Sequence, residues 1–113
     1  MKKYNLALLK EQCGEDKLFF NEMIGIFIDS SQNEIINMED AYIRKDLTQL
    51  GHYAHKILSP CKLIRADSLC ILLKEMESKA DDNELTLELA DLLLRKIKKE
   101  MEELTNELRS EYL

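Results

Sequence analysis

The sequence predicts an all-α protein, an antiparallel four-helix bundle with a short additional helix at the N-terminus. Three observations carry that expectation. The 113 residues include only three Gly, one Pro and no Trp. Leu, Glu, Lys, Met and Ile, which lose little rotamer freedom in a helix, are abundant, while β-branched Val and Thr are nearly absent. Apolar residues recur every three or four positions along several long stretches separated by short polar turns. Amphipathic helices joined in this way bury their stripes only against one another, which is the bundle solution.

Each element has its own signal. Tyr4 to Lys10 forms a short first helix, ended by Gly14, with Glu15 and Asp16 suited to the next helix N-terminus. Phe20, Met23, Ile24, Phe27, Ser31, Ile35, Met38 and Tyr42 then mark one stripe running to about Arg44, with Ser30-Ser31 as a point of bending or division. Asp46 is an N-cap, and Gln49 three residues later is placed to close a capping box. The helix that follows carries the stripe Leu47, Leu50, Ala54, Ile57, Leu58, Cys61 and Ile64 and is expected to kink at Pro60. Asp67 caps a further helix with stripe Leu69, Leu72, Leu73 and Met76, ending near Ser78. After the polar turn Ala80-Asp81-Asp82-Asn83, Asp81 and Glu84 offer a capping box for the last helix. Its seam is Leu89, Leu93, Ile97, Met101, Leu104 and Leu108.

The length accommodates one domain, residues 1–113, and the 45% hydrophobic content is enough for its single core. A net charge of −6 opposes a nucleic-acid role, which needs a basic face to displace counterions. No apolar run approaches the roughly 18 to 20 residues that span a bilayer, and Met1-Lys2-Lys3-Tyr4 leads into no signal-peptide core. A cytoplasmic protein without membrane contact is expected. Cys13, Cys61 and Cys70 lack C-x-x-C spacing and read as reduced thiols, neither a disulfide framework nor a zinc site. The methionines at Met23, Met38, Met76 and Met101 fall on helical seams and read as core.

One residue stands apart from this packing pattern. At 100° per residue His55 lies about 120° from the middle of its helix's apolar stripe, beside Thr48, His52, Ser59 and Lys62. Gly51 and Ser59, one turn away on either side, are small and leave it uncovered along that face. The 20 residues from Leu47 to Ala66 contain no Asp or Glu, although the chain carries 22 acids; composition alone would place about four there. A solvated imidazole with a pKa near about 6.5 is largely neutral at pH 7 and keeps one free lone pair for attack on phosphorus. The sequence offers no paired base, metal cluster or glycine-rich phosphate cradle, so His55 reads as a carrier whose partner supplies the metal ion and acidic groups. His52 and His55 have i, i+3 spacing, but no nearby acid or thiol completes a metal site on that face.

These residues also carry a family resemblance. Ala54-His55-Lys56-Ile57-Leu58-Ser59-Pro60, followed by Leu63-Ile64-Arg65-Ala66 and Leu69, resembles the central motif of the histidine-containing phosphotransfer (HPt) domain of bacterial phosphorelays. The early aromatic Tyr4, the Phe20 to Phe27 helix, Asp46 ahead of the histidine helix and the long terminal helix fall where that family has them. The resemblance implies a phosphoryl carrier without catalytic machinery or cofactor of its own. His55 would accept the group from an aspartyl phosphate on a response-regulator receiver domain and pass it to another, with a hybrid sensor histidine kinase as further partner and a monomer as the working form. Gly51, His52 and Ser59 would form the docking face for the receiver.

Three positions depart from the family pattern. Where the family usually has Lys three residues after the histidine, Gly four after and Gly ten after, this chain has Leu58, Ser59 and Arg65. The lysine matters most, because a cation offsets the roughly −1.5 to −2 charge of an added phosphoryl group. Lys62, two turns along the same face, is the expected substitute, with Lys56, about 100° around the helix, the weaker one. The missing lysine also supports an alternative of another class, a helical protein-interaction domain that kept the bundle and lost phosphotransfer. Labelling from a phosphorylated receiver discriminates the two.

Overall fold

The computed structural model describes residues 2–113. Its helices are α1 (Ala7–Cys13), α2 (Lys17–Ile43), α3 (Leu47–Leu63), α4 (Asp67–Asp81) and α5 (Leu87–Tyr112). The fold is all-α, with α2 to α5 forming the bundle and α1 as the short additional helix. Connections of a few residues between the long helices make sequential neighbours antiparallel. The predicted stripes face inward: Ile24, Met38, Leu50, Ala54, Cys61, Leu73, Met76, Ile97 and Leu108 are wholly buried. Truncating any of the large ones to Ala would cost about 2 to 5 kcal/mol.

The helix starts refine the sequence expectations. Asp16 caps α2 by accepting from Phe19 N–H at 2.9 Å, and Asp46 caps α3 by accepting from Gln49 N–H at 3.1 Å. The return half of the expected Asp46–Gln49 box does not form, because the Asp46 N–H already donates to Ala41 O at 2.8 Å. Asp67 is not a cap but the first residue of α4, where its charge favours the helix dipole. The expected Asp81–Glu84 box is also absent. Asp81 is still helical, Glu84 N–H closes the end of α4 on Lys79 O, and Thr86 caps α5 by accepting from Leu89 N–H at 3.1 Å. The first helix starts later than predicted because Asn5 Oδ1 captures the Ala7 N–H while Tyr4 and Leu6 are drawn into the core. Ser30-Ser31 neither splits nor ends α2, and Ser31 is buried on its inner face. Pro60 lies inside α3, which runs on to Leu63.

One closure recurs at the ends of α2, α3 and α4. Lys45, Arg65 and Asn83 take left-handed φ values of 60°, 53° and 57°. In each case the following N–H reaches back to the carbonyl five residues earlier: Asp46 to Ala41, Ala66 to Cys61 and Glu84 to Lys79. This is the Schellman pattern, normally served by Gly, and it turns the chain without a long loop. Arg65 stands where the HPt pattern has its second Gly, so the backbone demand persists although the residue has changed.

At this same C-terminal end of α3 the chain's start acts as a strap. Asn5 N–H donates to Ile64 O at 2.8 Å, and Tyr4 meets Tyr112 edge-on at 6.5 Å between ring centroids. Phe20 packs on Tyr112 at 5.6 Å. Lys3 pairs with Glu100 at 3.1 Å and Glu103 at 2.9 Å. The buried rings carry the strap, since solvent-exposed ion pairs contribute little.

The contact that positions the site lies between α3 and α4. A Cβ built on Gly51 would meet Ala80 Cβ at 2.4 Å, with the Cα atoms of Ala80 and Glu77 at 3.9 Å behind it. Only glycine permits this approach. Gly51→Ala should therefore destabilise the bundle by about 1 to 2 kcal/mol, the overpacking cost exceeding the gain in helix propensity. Adding Ala80→Gly should recover most of the loss in urea midpoints. Arg65→Gly should raise stability by about 0.5 to 1 kcal/mol in the same measurement, by relieving the left-handed backbone.

Candidate functional site

The Asp46 cap sets where α3 begins, and thereby which side chains point outward. Leu50, Ala54, Ile57, Leu58 and Cys61 turn inward, while His52, His55, Lys56, Ser59 and Lys62 are exposed. His55 is midway along the helix with 66% of its side chain open to solvent. Its Nδ1 lies 2.8 Å from Oε1 of Glu77, which reaches across from α4. An ionised carboxylate only accepts, so the ring nitrogen facing it donates: Nδ1 carries the proton and the lone pair of the neutral ring sits on Nε2. No described residue bonds Nε2. One nitrogen is held and the other is free.

Glu77 is suited to hold a ring still. Its side chain is only 13% exposed, and its second oxygen, Oε2, is buried and makes no hydrogen bond to any described residue. Lys74, one turn earlier on α4, brings its Nζ to 4.0 Å from that oxygen, close enough for charge attraction and too far for a hydrogen bond. The 3.9 Å between the Glu77 Cα and a Cβ built on Gly51 shows why the carboxylate reaches His55 at all: the two helices nearly touch one turn away.

The predicted site residues separate on this geometry. His52 and Ser59 are exposed on either side of His55. Gly51 is buried beneath Ala80, so its smallness serves helix contact rather than access to His55. Lys56 directs its ammonium over the Tyr53 ring, 5.4 Å from the centroid, and Tyr53 also neighbours the His52 ring at 6.1 Å. Lys62 is exposed and lies near Cys70. Burial and the Asp67 carboxylate push that thiol's pKa up, and the Lys62 charge partly offsets them. No group of three His, Cys, Asp or Glu among the described residues is arranged to hold a metal.

The acid-free strip around His55 is thus a property of α3 alone. The carboxylate comes from another helix, and neither Glu77 nor Lys74 figures in the sequence-based expectations. The available signal was the pairing of small residues, Gly51 with Ala80, which fixes the α3/α4 register once the two helices are known to be antiparallel. On the opposite side of α3, an apolar groove of about 150 Å³ is lined by residues such as Met23, Ile26, Phe27, Ile57 and Pro60. His55 is not among its walls, so the imidazole works at an open surface and not in a cavity.

A helical bundle that displays one tethered imidazole at mid-helix defines a class of protein that handles a group in the open. The comparison with known families gives the class its identity: the Hpt domain model matches residues 22–110, and the chain belongs to the HPt family. No curated protein and no solved structure matches. Members of the family are carriers of phosphoryl groups on histidine in phosphorelays, working with receiver domains and kinases. The matched residues contain His55, Glu77 and Lys74, while α1 and the strap precede them. No helix among the described residues is long and apolar enough to cross a membrane.

Tautomer control by Glu77 is directly measurable. At about pH 8, above the ordinary imidazole range of about 6.5, ¹⁵N shifts of His55 should report protonated Nδ1 and unprotonated Nε2. Glu77→Ala should release the ring to exchange between tautomers while His52 keeps its spectrum.

Proposed function

We propose that His55 is the phosphoacceptor of a phosphorelay carrier. It takes the group from an aspartyl phosphate on a receiver domain and gives it to, or returns it to, another receiver. The observation that carries this reading is the divided imidazole: Nδ1 on Glu77, and Nε2, on a ring largely open to solvent, bonded by no described residue.

The chemistry balances on these atoms. The Nε2 lone pair attacks phosphorus, the bond from phosphorus to the aspartyl oxygen breaks, and the receiver's carboxylate leaves with the electron pair. No proton needs to depart, because Nδ1 keeps its own. The ring becomes an N-phosphoryl imidazolium, and its new positive charge lies against the Glu77 carboxylate, which therefore stabilises the product more than the reactant. Return of the group reverses each step. The receiver supplies the metal ion and acids that the transfer needs, and this chain supplies a positioned nucleophile and does not act as an enzyme by itself. His52 and Ser59 flank the ring and form part of the docking face; Ser59 is small enough to leave the approach open. A transient complex suits a carrier that must also let go.

Incubation with a phosphorylated receiver and Mg²⁺ tests the assignment. The wild-type chain should acquire acid-labile, base-stable label, and His55→Gln should acquire none. Equal labelling of both proteins would move the acceptor elsewhere. Failure of the wild type with every receiver of a cognate genome would favour a bundle that binds its partner without chemistry.

A further inference from the structure

Leu58, at the position where the HPt pattern has its lysine, is only 4% exposed. The histidine helix therefore presents no cation at that point. We infer that Lys74, from the neighbouring helix α4, supplies the positive charge to a phosphoryl group on His55; this rests on His55 being the acceptor.

Three observations single out Lys74. Its Nζ and the His55 Nδ1 approach the two oxygens of one carboxylate, at 4.0 and 2.8 Å, so ammonium and imidazole share a site. Its side chain is 62% exposed and makes no hydrogen bond to Glu77, so its head group is free to pivot on a four-carbon stem. The lysines of α3 are engaged or displaced: Lys56 lies over Tyr53, and Lys62 starts about 10 Å further along the axis from His55.

There is also a need for the charge. Phosphorylation adds about −1.5 to −2 beside a carboxylate that is already present, the two separated only by one imidazole. Glu77 steadies the ring yet repels the phosphoryl oxygens. A cation lying against Glu77 and reaching outward screens both anions and keeps the orienting acid from becoming a liability. The i, i+3 spacing of Lys74 and Glu77 places them on one face of α4, where a single helix carries both functions.

The test uses the full chain, phosphorylated by phosphoramidate so that no receiver is needed, and follows the phosphohistidine by ³¹P NMR through a pH titration. A nearby cation favours the dianion. Lys74→Ala should therefore move the phosphoryl titration upward by about half a pH unit, while Lys74→Arg and Lys62→Ala should leave it in place. Transfer from a phosphorylated receiver at low salt should slow about three- to tenfold in Lys74→Ala, remain within about twofold in Lys74→Arg, and lose its dependence on Lys74 at high salt. A Lys74→Ala protein that titrates and transfers like the wild type, with His55→Gln unlabelled, overturns the role of Lys74 alone. Labelling of His55→Gln at wild-type level instead removes the acceptor on which that role depends.

Discussion

The near-contact of α3 and α4 at Gly51 and Ala80 is the constraint on which the site depends. Helix axes usually stand about 8 to 10 Å apart, at a distance set by the side chains between them. Here one partner offers no side chain, and the missing Cβ would fall 2.4 Å from the Ala80 methyl. Drawn together at that turn, the helices bring the Glu77 carboxylate onto His55 one turn further along. The glycine acts on the chemistry through distance, without touching the imidazole.

The remaining features share out what a carrier needs. The buried faces of α2 and α5 hold the α3/α4 pair in place and contribute nothing to the chemistry. Glu77 is mostly buried, whereas His55 and Lys74 are largely exposed. A buried acid behind a reachable base is a sensible division for a group that must be met by a partner's active site. Under the proposed role of His55, the Glu77 contact sets which nitrogen is left free and exposure lets the partner bring the remaining machinery. An enclosed pocket would keep out a protein's phosphorylated aspartate, and His55 lines no wall of the apolar groove across α3.

Most of the architecture was legible in the sequence because it follows from local rules. The stripe from Leu50 to Ile64 and the cap at Asp46 need only one helix and its neighbours in sequence, and they appear as expected; Asp16, read only as an acid near a helix start, is the α2 cap. The misassigned caps are errors of position: Asp67 is already the first residue of α4, one past its Ala66 cap position, and Asp81 is still inside α4, five residues before the Thr86 cap of α5. Propensity tables favour Gly in Schellman closures, so Arg65 and Lys45 gave no warning of left-handed turns. The site was legible only in part. His55 was found from its angle on a helical wheel, which is again a one-helix property. Glu77 and Lys74 depend on inter-helix register, and so does Gly51, whose smallness suggests access to His55 on one helix alone and serves the α3/α4 contact in the fold.

Because the imidazole and its carboxylate arrive from separate helices, an unfolded or half-made chain possesses the histidine but not the arrangement that selects Nε2. Taking His55 as the acceptor, site-selective transfer presupposes a folded α3/α4 pair, so the histidine by itself does not define the site.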